Sequence, residues 1–136
     1  MGTGIYRNII NGNSISDNLP DVTKDYPLTN GLFGKQGNSS RDNTRHIDSD
    51  DPISTSKDFY DRISQGSTES TLSNGKGVSA KLSDGTIITY RKVSSSDGSP
   101  VVDINIRKSS NSGGVKQQKI HFTKKGDNKK WETFKI

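Results

Sequence analysis

The chain has two histidines, His46 and His121, and no cysteine. Acid–base chemistry near neutral pH therefore rests on two imidazoles, and a thiolate nucleophile, a disulfide framework or a thiolate metal site is excluded. His121 lies in Gln117-Gln118-Lys119-Ile120-His121-Phe122, with an apolar residue on each side. Strand alternation turns Ile120 and Phe122 inward and His121 outward. Applied to the neighbouring segments, the same rule gathers Thr89, Arg91, Asp103, Asn105, Arg107, Lys119, His121 and Thr123 on one polar face. An imidazole among guanidinium and ammonium groups suits metal-free RNA cleavage. A base takes the proton of a ribose 2′-OH, and cations stabilise the phosphorane. The plain alternative is a solvated sheet face, which is ordinarily built from such residues.

On this reading His121 is the base or acid. Arg91 and Lys119 stabilise the phosphorane, Thr89 and Thr123 hydrogen-bond phosphate, and Asp103 orients His121 or Arg91. His46 sits in Arg41-Asp42-Asn43-Thr44-Arg45-His46-Ile47-Asp48, read as loop. There a solvated histidine is the simpler reading, and a second catalytic imidazole the alternative. Asp48, Asp50 and Asp51 lack the spacing and the glycine of a calcium loop. No metal site and no cofactor is expected, and a metal-dependent DNase is disfavoured for want of a ligand cluster. Ser94 to Gly98 is first a turn, whose hydroxyls and N–H groups offer a phosphate contact through Ser95.

The elements that must position these residues follow from period and punctuation. The strands are short and alternating: Val78–Leu82, Thr86–Val93, Val101–Arg107, Val115–Thr123 and Lys130–Ile136. Asp84-Gly85, Asp97-Gly98-Ser99-Pro100, Asn111-Ser112-Gly113-Gly114 and Gly126-Asp127-Asn128 turn the chain between them. The period predicts a helix over Ser54–Gln65, capped by Ser56 and ended by Gly66, with Phe59 and Ile63 on its apolar face. This is an α+β domain in which helix packs on a twisted antiparallel sheet of about five strands. Residues 66–77 read as a linker. Residues 1–53 read as a separate N-terminal segment, partly helical at Ile5–Ile10 and a long loop over Gly34–Asp51, ahead of a domain at 54–136.

Only 26% of the 136 residues are hydrophobic, which supports one modest core. No apolar run approaches the ~20 residues of a membrane span, and no signal peptide is visible. Residues 1–70 carry 7 Lys/Arg against 10 Asp/Glu, whereas residues 71–136 carry 13 against 5. A positive C-terminal half favours a polyanionic partner, with Lys124, Lys125, Lys129, Lys130 and Arg107 steering a nucleic-acid backbone.

The stretch from Lys76 to Phe122, with its framework "SDGTIITYR…SSSDGSPVVDI…QKIHF", resembles the C-terminal toxin domains of bacterial polymorphic toxins. These include contact-dependent growth inhibition effectors (CdiA C-terminal regions) and the toxin tails of LXG proteins. The resemblance covers about residues 75–123, and the family's VENN-type junction motif is not present. It implies a ribonuclease of the barnase/EndoU/colicin/RelE fold class whose sheet surface is the active site. Its framework positions here are Thr89, Arg91, Ser95, Asp97, Asp103, Lys119 and His121. The resemblance also implies a tRNA substrate, elongation factor Tu as a partner in some members, and a cognate immunity protein. A protein of this kind is secreted or delivered at the cell surface and acts in the cytoplasm of the target cell. The rival expectation is a non-catalytic RNA- or protein-binding module.

Overall fold

The computed structural model describes residues 12–37, 41–94, 97–107 and 112–124. The expected helix at Ile5–Ile10, the expected strand Lys130–Ile136, and Ser95, Lys125, Lys129 and Lys130 lie outside them.

Among the described residues, two helices form where caps and apolar spacing coincide. Helix α1 (Ile15–Val22) opens with a capping box in which Ser14 accepts from the Asp17 amide and Asp17 accepts from the Ser14 amide. Helix α2 spans Pro52–Ile63, two residues earlier than expected. Its N-cap is Asp51, which accepts from the Ser54 amide, and Pro52 takes the first position, where a missing N–H costs nothing. Ser56 is thus no cap. It is buried inside the helix and hydrogen-bonds the Ile53 carbonyl and the Tyr90 hydroxyl.

The strands are β1 (Leu28–Thr29), β2 (Leu32–Phe33), β3 (Lys35–Gln36), β4 (Thr44–Ser49), β5 (Thr68–Thr71), β6 (Val78–Lys81), β7 (Ile87–Arg91), β8 (Val101–Asn105) and β9 (Gln118–Lys124). Strands β1 and β2 make a separate hairpin whose two loop residues, Asn30 and Gly31, both have positive φ, as a tight two-residue turn requires. The other seven form one sheet in the order β3-β4-β9-β8-β7-β6-β5. From β5 to β9 every pairing is antiparallel, as expected of a meander.

Two departures change the sheet. Residues 66–77, read as a linker, contain β5, an exposed edge strand. The loop expected over Gly34–Asp51 contains β3 and β4, and β4 pairs parallel with β9, so the sheet is mixed rather than antiparallel. Strand β4 hides from periodicity because Ile47 is its one large apolar residue. Its inward neighbour Arg45 is satisfied by carbonyls of Phe33, Asp42 and Gly34 instead of by burial in hydrocarbon.

One face of the sheet packs on the helices. Ile88, Tyr90, Val102, Ile104, Ile120 and Phe122 meet Phe59, Tyr60 and Ile63 of α2, and Ile15 and Val22 of α1, in a single buried cluster. Phe59 is its hub, with ring centroids 5.1 Å from Tyr26, 5.0 Å from Phe33 and 5.6 Å from Phe122. Residues on both sides of position 54 therefore share the same core. Among the described residues, no helix is long and apolar enough to cross a membrane.

Candidate active site

The other face of the sheet carries the polar residues in two rows set by register. The first row runs Thr44, Lys119, Asp103, Thr89, Ser79 across β4, β9, β8, β7 and β6. The second runs Lys35, His46, His121, Val101, Arg91 across β3, β4, β9, β8 and β7. Val101 is fully buried yet stands outside the helix-side cluster, which marks the second row as covered on this face.

The second row brings the two histidines together. His46 and His121 are register partners of the parallel pair, and their rings stack at 5.4 Å between centroids and 23° between planes. His46 is therefore a strand residue, and the reading of it as a loop histidine is replaced. His121 is also less open than a wet face implies, with 5% of its surface exposed.

His121 is held from the β7–β8 connection. Its Nδ1 lies 2.9 Å from Ser99 Oγ and 3.4 Å from Asp97 Oδ1. Ser99 Oγ donates to Asp97 Oδ1 at 2.6 Å, and the same oxygen accepts from Ser94 Oγ at 2.6 Å and the Ser99 amide at 3.0 Å. Burial alone would raise the Asp97 pKa. The hydrogen bonds from Ser94 and Ser99 outweigh it and hold the carboxyl well below the usual carboxylate range. Ionised Asp97 only accepts, so the single Ser99 proton is committed to it. Ser99 Oγ then accepts from His121 Nδ1–H, which leaves the lone pair of the neutral ring on Nε2.

His46 sits in a different environment. Burial lowers its pKa, the neighbouring His121 adds to the shift, and Asp97 and Asp48 pull weakly the other way. The ring is therefore held neutral at pH 7. Its Nδ1 is buried without a hydrogen-bond partner among the described residues. The Cδ2–Nε2 edge is packed so closely by Gly37 that a Cβ there would stand 2.1 Å from both ring atoms. Beyond it, Lys35 binds Asp48 at 2.7 Å and keeps that carboxyl ionised, and Thr123 Oγ1 donates to Asp48 Oδ1 at 3.3 Å.

The remaining expected residues separate. Asp103 does not reach His121. It faces Arg91 at 3.6 Å and is Lys119's register partner. Thr89 stands across from Asp103. Asp103 and Thr89 line a cleft of about 390 Å³ with Thr44, Asn105, Lys119 and Arg41, immediately beside the histidine row. Arg91 shares the row of His121 but lies two strands away, about 10 Å at normal strand spacing. Lys119, two residues along β9, is nearer at about 7 Å. Thr123 donates to Asp48 at the surface. Arg107 lies past the end of β8, exposed beside Gly85 of the β6–β7 turn, and Lys124 ends β9 exposed.

Ser94 and Ser99 escaped the sequence reading as partners of a histidine. Their signal was the Ser-x-x-Asp-x-Ser spacing, in which side chains bond backbone and one another across a turn. The turn was legible, and its docking on β9 was not. That docking is fixed by the Phe122 amide donating to the Pro100 carbonyl at 2.9 Å.

Two stacked imidazoles, one neutral and one anchored beside an ionised carboxylate, are chemically suited to opposite roles in proton transfer. Among the described residues, no group of three or more His, Cys, Asp or Glu side chains converges as a metal-ligand set. No protein-family model, curated protein or solved structure matches this chain.

Proposed function

We propose that the protein is a ribonuclease that cleaves RNA by 2′-OH transesterification, with His46 as general base and His121 as general acid. The observation that carries this reading is the His46–His121 stack with His121 tied to Ser99 and Asp97. Neutral His46 takes the 2′-OH proton. The 2′ oxygen bonds to phosphorus, the P–O5′ bond breaks, and protonated His121 gives its proton to the leaving 5′ oxygen. The products are a 2′,3′-cyclic phosphate and a 5′-hydroxyl. Lys35, beside His46, is committed to Asp48, so Lys119 is the cation left to meet the developing phosphorane charge, and Arg91 orders the cleft through Asp103.

The resemblance to polymorphic-toxin tails supports a tRNA substrate and delivery into a competing bacterium. It also supports elongation factor Tu as a helper and an immunity protein as antagonist. The basic balance of residues 71–136 suits the polyanionic substrate.

Incubation with total tRNA in EDTA, followed by analysis of RNA ends, tests the reading. Cyclic-phosphate ends are expected from the wild type, with a loss of about 10²–10⁴-fold in H46A and in H121A. RNA left intact by the wild type, with or without an elongation factor, overturns it. Binding of tRNA without cleavage would assign the protein to the non-catalytic class instead.

A further inference from the structure

The cleft beside the histidines contains a carboxylate, Asp103, that takes no part in the proton transfers. Asp103 stands 3.6 Å from its ion-pair neighbour Arg91 and shares the cleft with Lys119, its register partner, and Arg41. Its side chain is 37% exposed, and it lines the 390 Å³ cleft opposite Thr89 and two residues from Asn105 on the same strand face. An ionised carboxylate only accepts hydrogen bonds, so a ligand that uses it must bring donors. Ile87, the register partner of Asn105, adds a half-buried apolar surface to the same cleft.

We propose that this cleft is the nucleobase subsite next to the scissile phosphate, and that it selects guanine. This rests on the ribonuclease reading above. The Watson–Crick edge of guanine presents two adjacent donors, N1–H and the 2-amino group, which fit one carboxylate side by side. The neighbouring O6 takes a donor from the Asn105 amide or the Thr89 hydroxyl. Uracil has no amino group, and adenine and cytosine each offer an amino group without an N–H beside it. Lys119, at the boundary between the cleft row and the histidine row, meets the phosphate attached to that nucleoside.

The test reads binding without turnover. The four nucleoside 3′-monophosphates are titrated into the full chain while backbone amide NMR signals are followed. Shifts at Thr89, Asp103, Asn105 and Lys119 are expected, with guanosine monophosphate binding about tenfold more tightly than uridine monophosphate. In D103N that preference disappears. Equal affinities, or shifts that miss the cleft, overturn the subsite, and a guanine preference that survives in D103N overturns the role of Asp103. The nucleotide series on the unaltered protein decides the matter even if D103N fails to fold. Because no cleavage is measured, the subsite can fail while RNA is still cut, and RNA can remain uncut while the subsite stands.

Discussion

His46 and His121 are register partners across a parallel strand pair of the sheet, and their rings stack 5.4 Å apart. One imidazole is depressed by burial and packed under Gly37. The other is fixed through Ser99 to an ionised Asp97. The difference between two chemically identical side chains comes entirely from what the fold puts beside each.

The first prediction concerns pH. The folded pKa of His46 lies below its ordinary 6.5, so the base form persists into mildly acidic solution. The acid limb of the cleavage profile should fall below pH 6.5. Stability follows the same sign. The unfolded chain binds this proton more readily, so the contribution of neutral His46 is complete above pH 6.5 and is lost as pH falls through the lower folded value. Urea titrations across that range, on wild type and H46Q, should show a slope in the first that is reduced in the second. Asp97 acts in a more acidic window: its depressed pKa contributes stability above its ordinary 3.8 that is lost as the pH falls below it.

Replacing Ser99 by alanine removes the group between His121 and Asp97. The buried Nδ1–H then loses its acceptor, at a cost of about 1–3 kcal/mol. The ring is also freed to choose the other tautomer. Cleavage should drop by at least about tenfold in kcat with KM little changed, and the NMR signature of Nδ1 protonation in neutral His121 should vanish. Threonine, which keeps the hydroxyl, should restore most of both. An S99A enzyme with wild-type kcat and tautomer would remove Ser99 from the positioning of His121.

Gly37 matters for its lack of a side chain. A methyl group there overlaps the Cδ2–Nε2 edge of His46, so G37A must move the ring or the strand edge. Overpacking of this kind costs about 1–3 kcal/mol. The His46 titration, followed by imidazole NMR, should move back toward 6.5 as the ring is pushed toward water. An unchanged titration would show that the close packing does not hold the ring.

Gln118 joins the small hairpin to the main sheet. Its Oε1 accepts from the Phe33 amide at 2.8 Å, and its Nε2 donates to the carbonyls of Gly31 and Lys116 at 3.0 and 2.7 Å. Leucine fills the space but leaves the Phe33 N–H buried without an acceptor. Q118L should lose about 2 kcal/mol in chemical denaturation, with hydrogen exchange rising first at Phe33. Retained protection at that amide would mean the hairpin is held by packing alone.

The meander from Val78 to Phe122 and the apolar face of α2 were legible in the sequence. There alternation and helical spacing coincide with strong turn and cap residues, and burial of Phe59, Ile88, Ile104 and Ile120 follows from local pattern. Strand β4 was not legible. Thr44-Arg45-His46-Ile47-Asp48-Ser49 has too little hydrocarbon to register as a strand, and it becomes one only because β9 offers it an unpaired edge.

The two halves of the candidate site divide in the same way. Alternation along β9 determined that His121 stands on the face opposite Ile120 and Phe122, with Lys119 and Thr123 beside it. Tertiary structure alone decided its partners. A parallel pairing between strands more than 70 positions apart set His46 against it, and a turn folded back on β9 supplied Ser99 and Asp97. Contacts over such separations depend on which edges remain unsatisfied after the local elements have formed. No short window of sequence carries that information, and the chemistry of the histidine pair rests on it.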